Sequence, residues 1–163
     1  MHGSEQDCIL CRGAAADQEL GVVQVWEDRY WRMTTSLEAE VLGFSYLEPR
    51  RHIPHITDLD GEEARTFGTV LAQVTSALRE ATGAELVYVY VFGGGIPHLH
   101  LHLAPHRTGD ALNTQLIRGE FTAEQLASGV TRYVSKDFPL VPEEEQRAAA
   151  RQVQQRLASF RSR

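Results

Sequence analysis

Long apolar runs are missing from this chain. None of its 163 residues falls in a stretch approaching a membrane span, and the first residues lack a basic-then-apolar leader. A cytoplasmic location is therefore the expectation, with no membrane partner. An excess of basic charge is missing too: 16 Lys and Arg against 22 Asp and Glu leave a formal net charge of -6. That balance argues against a binder of nucleic acid polymers, which carries a basic footprint, but not against a small anionic ligand in a locally positive pocket. Cysteine is nearly absent. The only two, Cys8 and Cys11, share one Cys-x-x-Cys, which excludes a disulfide framework and in a reducing compartment favours a metal or a redox pair. No repeat, low-complexity tract or interdomain linker stands out, and the length suits one domain that buries a core unaided.

What is present reads as alternating strands around one strong helix. Residues 22–27 and 30–33 form two strands about the turn Asp28-Arg29, and residues 43–48 alternate again before Pro49. Asp60, with Glu63 three positions on, reads as the capped start of a helix. Phe67, Val70, Leu71, Val74 and Leu78 recur at helical spacing, and Gly83 is the stop. Residues 86–92 are β-branched and aromatic, and Gly93-Gly94-Gly95 turns the chain into the next strand, so the two should pair antiparallel. Further on, residues 122–128 read as a short helix and 130–134 as strand or coil. Glu143, Glu144 and Glu145 open a last helix with the stripe Ala149, Val153, Leu157 and Phe160. One α+β domain is the expectation.

The chemistry concentrates in Pro97-His98-Leu99-His100-Leu101-His102-Leu103. In an extended strand, residues two apart share a face, so three imidazoles would line one side and three leucines the other. Unprotonated imidazole is a nucleophile at neutral pH, suited to an activated phosphorus or acyl centre through a covalent intermediate. The middle ring, His100, is best placed to attack. His102 and His98 would orient a phosphate oxygen, hold a tautomer or protonate a leaving group.

These residues resemble the His-φ-His-φ-His-φ-φ signature of the histidine triad (HIT) superfamily of nucleotide hydrolases and transferases. The resemblance runs from about residue 7 to 110. Cys8-Ile9-Leu10-Cys11 is similar to the opening of bacterial members. Gly43 and the strand after it, leading to Pro49-Arg50-Arg51-His52, and Pro105 to Asp110 after the triad, fit the family's order. It implies a HIT-like antiparallel five-stranded sheet with flanking helices, with residues 1–110 as catalytic core and residues 111–163 as an extension ending in a helix. It also implies a homodimer, and attack by His100 on the α-phosphorus of a dinucleoside polyphosphate, nucleoside phosphoramidate or similar derivative. A nucleotidyl-histidine would then pass to water or a second phosphate.

Cys8 and Cys11 supply two of four ligands to one tetrahedral zinc, with His52, His55 and His98 as candidates for the rest. In zinc-bearing relatives the remaining pair resembles His52 and His98, with His55 as substitute here, and a closed four-ligand site is structural. A redox dithiol and two inert thiols are the competing readings. His2 and His106 read as solvent-exposed.

The chain departs from the family before the triad, where Gly93-Gly94-Gly95-Ile96-Pro97 stands in place of a Gln-containing segment. Phe92 replaces an Asn and Phe44 a His. Gly94 and Gly95 would contact phosphate through backbone N–H groups, or merely supply a tight turn. Arg107 and Phe44 complete the expected nucleotide contacts, with Arg50 and Arg51 as further sources of positive field. The altered loop also admits a module that binds nucleotide without turnover.

Overall fold

Five alternating segments pair into one antiparallel sheet: β1 (Val22–Glu27), β2 (Trp31–Ser36), β3 (Ser45–Pro49), β4 (Leu86–Tyr90) and β5 (Leu101–His106), in spatial order β1-β2-β3-β5-β4. The computed structural model describes residues 5–92, 95–110, 121–135 and 139–162. Trp31, Met33, Leu47, Leu101 and Leu103 leave one face of the sheet, where α2 (Gly61–Thr82) adds Val70, Val74 and Leu78 and α3 (Glu143–Leu157) adds Val153 and Leu157. The intervening residues Arg32, Tyr46, Glu48, Tyr90 and His102 take the other face, as the period of two requires. A short helix α1 (Asp17–Leu20) precedes β1. The fold is therefore α+β in a single domain, and among the described residues no helix is long and apolar enough to cross a membrane.

Local chemistry explains most boundaries. Asp28 Oδ1 accepts the backbone N–H groups of Tyr30 and Trp31 at 2.9 Å, closing the β1–β2 turn. Gly83 ends α2 in the left-handed region at φ 68°. Gly43 sits at φ +76°, and a Cβ there would stand 2.6 Å from the Thr82 methyl, so the loop into β3 requires glycine.

Four expectations need correction. The Asp60–Glu63 capping box does not form, because both carboxylates turn to Arg51, at 2.5 and 3.0 Å. Residues 122–128 are not helical. β6 (Phe121–Gln125) and β7 (Thr131–Ser135) pair as a separate antiparallel hairpin about Gly129 (φ +84°), and cross-strand bonding overrides the helix propensity of Ala123, Glu124 and Gln125. β4 and β5 pair antiparallel as expected, Tyr90 opposite His102, but β4 already ends at Tyr90, and Gly93 and Gly94 of the expected turn lie outside the described residues. Lastly, β5 starts only at Leu101, so His98 and His100 precede the paired strand, where Leu99 N–H donates to the Ile53 carbonyl at 2.6 Å.

α3 does more than pack. Gln146 is wholly buried, its Oε1 accepting the Gly43 N–H at 2.8 Å and its Nε2 donating to the Val41 carbonyl at 2.9 Å. Beyond the helix, Phe160 stacks on Trp26 with ring centroids 5.3 Å apart, completing the predicted apolar stripe.

Candidate metal centre and active site

The amino-terminal turn carries Cys8 and Cys11 against the segments that bracket the histidine strand. Donor atoms of Cys8, Cys11, His52 and His98 all lie within 4.8 Å of one another. His98 Nδ1 is 3.4 Å from both sulfurs, and His52 Nδ1 is 3.4 Å from Cys11 Sγ. Those separations match the edge of a tetrahedron with zinc-length bonds, about 3.5 Å between sulfur and nitrogen. The tautomer agrees: His98 Nε2–H donates to the Pro49 carbonyl at 2.8 Å, which leaves the Nδ1 lone pair facing the thiols. Burial and the adjacent Cys8 push the Cys11 thiol up to about 12, so two thiolates need a cation between them. The donor set fits a divalent metal. His55 is not part of it: exposed, it caps the turn Ile56–Asp58, with Asp58 Oδ2 accepting its backbone N–H.

His98 is thus turned to the cysteines, 1% exposed, with both ring nitrogens engaged. His100 and His102 are left as neighbours, ring centroids 5.2 Å apart. His100 Nδ1–H donates to the His98 carbonyl at 2.7 Å, fixing the tautomer in which Nε2 carries the free lone pair. His102 Nε2 is buried without a hydrogen-bond partner among the described residues. Its ring stacks on Tyr90 at 4.9 Å and meets the edges of Phe44, Tyr46 and Phe92 at 5.9, 5.2 and 5.5 Å. Burial, and then the neighbouring His100, push His102 down to about 4, and burial also holds His100 below its ordinary value. Burial raises the Tyr46 phenol to about 12. Both imidazoles are neutral at physiological pH, His100 with a free Nε2 lone pair and His102 with an Nε2 that has no partner among the described residues.

Of the expected phosphate contacts, Phe44 reaches the site, edge-on to His102. Gly95 lies exposed in the connection before His98, while Gly94 lies outside the described residues, as does His2. Arg107 is not brought to the histidines. It follows the far end of β5, roughly 15 Å of strand beyond His102, with Nε 3.7 Å from Asp110 and Nη1 on the Thr82 carbonyl. Arg50 and Arg51 are likewise tied, to Glu27 and to Asp60 with Glu63. His106 is not solvent-exposed but 9% accessible, tilted against Tyr88. The aromatic surround of Tyr46, Tyr90 and Phe92 went unassigned at the level of sequence. The signal was there: residues at i and i+2 in each strand share the face of His102.

The model of the HIT domain family matches residues 19–109. The chain belongs to the HIT family. An uncharacterized HIT-like protein of Mycobacterium tuberculosis is 23% identical over 111 residues, covering 65% of the chain and 76% of that protein. A Zn-bound histidine triad family protein from Mycobacterium smegmatis superposes with TM-score 0.64 at 20% identity, over 96% of this chain and 99% of that one. A hypothetical histidine triad nucleotide-binding protein from Sulfolobus tokodaii gives TM-score 0.63 at 17% identity, covering 93% and 92%. For this HIT-family chain they establish the shared fold.

Proposed function

We propose that this HIT-family chain is a nucleotide hydrolase or nucleotidyltransferase whose nucleophile is His100. The observation that carries the reading is the His98 carbonyl's hold on His100 Nδ1–H, which presents Nε2 beside the unpartnered Nε2 of His102. Nε2 forms a bond to the α-phosphorus of a nucleotide derivative as the bond to the leaving group breaks. Water or a second phosphate then attacks the nucleotidyl-histidine, the N–P bond breaks, and neutral imidazole returns. His102, held neutral, hydrogen-bonds a phosphate oxygen or the leaving group rather than carrying charge to it. His98 contributes its backbone carbonyl to this arrangement, and Phe44 bounds the space beside His102.

One zinc held by Cys8, Cys11, His52 and His98 would be structural, since four protein ligands leave no open position. It would pin the amino-terminal turn to the segment carrying His98 and so set the carbonyl that orients His100. The Zn-bound relative from Mycobacterium smegmatis supports that choice of metal, and a paired-thiol site suits the reducing cytoplasm. β4 is the outer strand, and Leu86, Tyr88 and Val89 stand exposed along it, an edge suited to a second copy in a homodimer.

A second reading, binding of nucleotide without turnover, is favoured by the engagement of Arg50, Arg51 and Arg107 with acids away from the histidines. Intact-protein mass spectrometry after brief exposure to a nucleoside 5′-phosphoramidate separates the two. A gain of one nucleoside monophosphate, lost in His100→Ala, supports the enzyme. Saturable binding with neither mass gain nor turnover selects the second reading.

A further inference from the structure

On the same face of the sheet as His100, the amino-terminal turn roofs a cavity of about 400 Å³, in the size range of small-molecule sites. Its roof is Leu10 to Ala14 and its floor includes Gln24, Arg32 and Glu48. Both charged floor residues are nearly inaccessible, Arg32 at 5% and Glu48 at 4%. Arg32 is held on two sides: Nε donates to Gln24 Oε1 at 2.7 Å and Nη2 to the Asp17 carboxylate at 2.6 Å. Its Nη1 has only Glu48 Oε1, at 3.6 Å, too long for a hydrogen bond. Glu48 makes no closer polar contact among the described residues. Glu48 and Arg32 Nη1 therefore form a buried ion pair on the cavity floor with no hydrogen bond closing it, and burial pushes the Glu48 carboxyl up to about 7. Left so, each costs stability, which a ligand would recover.

The location limits what the ligand is. Glu48 follows Tyr46 by two residues on β3, and the Tyr46 ring lies 6.4 Å from that of His100. Glu48 lies one residue beyond the last β3–β5 pair, Leu47–Leu101, on the side from which His100 leads into β5, while Arg32 pairs with Glu48 on the next strand. From His100 to Arg32 is two interstrand spacings, about 10 Å, the scale of a nucleoside monophosphate.

We infer that this cavity is a base subsite selective for guanine, with Glu48 accepting N1–H and N2–H and Arg32 Nη1 donating to O6. Among the common bases, only guanine presents two adjacent N–H donors followed by a carbonyl oxygen, the complement of a carboxylate flanked by a guanidinium. Adenine, cytosine and uracil each offer the carboxylate a single such group. The inference rests on the nucleotide reading of His100, but it concerns binding rather than turnover.

Equilibrium binding of guanosine, inosine and adenosine 5′-monophosphates to the zinc-loaded protein tests it. The guanine nucleotide should bind about tenfold or more tightly than the other two, inosine lacking N2–H and adenosine presenting the opposite pattern at N1 and C6. Glu48→Gln should bring the three affinities together, with circular dichroism unchanged. Equal affinities in the wild type, a preference untouched by Glu48→Gln, or no binding of any of the three overturns the inference. Because no step reads catalysis, absence of a nucleotidyl-histidine would leave the guanine preference intact and count only against turnover.

Discussion

His100, just before β5, and His102 within it have neighbouring rings but are asked for different things. His100 needs an accessible Nε2 lone pair, which the His98 carbonyl secures by holding the other nitrogen. His100→Ala should abolish turnover of a nucleoside phosphoramidate, with zinc content and circular dichroism as in the wild type. His102 is a stability liability in acid. Unfolded, its imidazole takes a proton near 6.5, and folded only near 4, so the unfolded chain binds more protons between those values. Stability present at pH 7 should therefore fall as pH drops through that window, by up to about 3 kcal/mol. Replacing the ring by an uncharged aromatic, His102→Phe, should flatten that part of the dependence in urea unfolding at pH 7 and pH 5. An unchanged slope in the variant would show that other groups carry the acid sensitivity.

Elements position these residues from both sides of the sheet. On one side the Cys8–Cys11 turn meets His52 and His98, which brings the loop after β3 and the entry to β5 to one point. Cys11→Ser should lower bound zinc from one per chain to a small fraction and raise hydrogen exchange in residues 8–14 and 96–100. On the other side Gln146 of α3 satisfies backbone groups of the loop into β3, which carries Phe44 to the site. Gln146→Leu should cost about 1 to 3 kcal/mol in chemical denaturation by leaving the Gly43 N–H buried and unpaired, while the Val41 carbonyl keeps the Phe44 N–H. The β6–β7 hairpin attaches by polar contacts, Ser128 N–H to Glu19 at 2.7 Å and Arg132 to Glu38. Nothing in those contacts ties it to the chemistry of the histidines.

At the scale of the molecule, the net charge of -6 frames a site with little positive charge of its own. Under the proposed function, a phosphate there would rely on neutral donors and backbone N–H groups rather than on an arginine clamp. The exposed edge of β4 has no covering element among the described residues, and an open apolar edge invites pairing. Val89→Lys should shift light-scattering mass from twice the chain mass to once, without loss of secondary structure. A wild-type monomer at micromolar concentration would remove the homodimer from the proposal.

The strands, the long helix and the histidine motif were legible because each depends on local periodicity. The same holds for the candidate ligand pair Cys8 and Cys11, set by a spacing of three. Two of its partners, His52 and His98, came from resemblance, and only the folded chain separated His52 from His55, since three residues of loop can point either way. The strand start at Leu101, the carbonyl of His98 under His100, and Gln146 against Gly43 also depend on partners far along the chain. So does the pairing of Arg32 with Asp17 and Glu48. Periodicity says which face a side chain takes; which groups then lie across from it is decided by sheet order and by what the helices and the amino-terminal turn bring over that face.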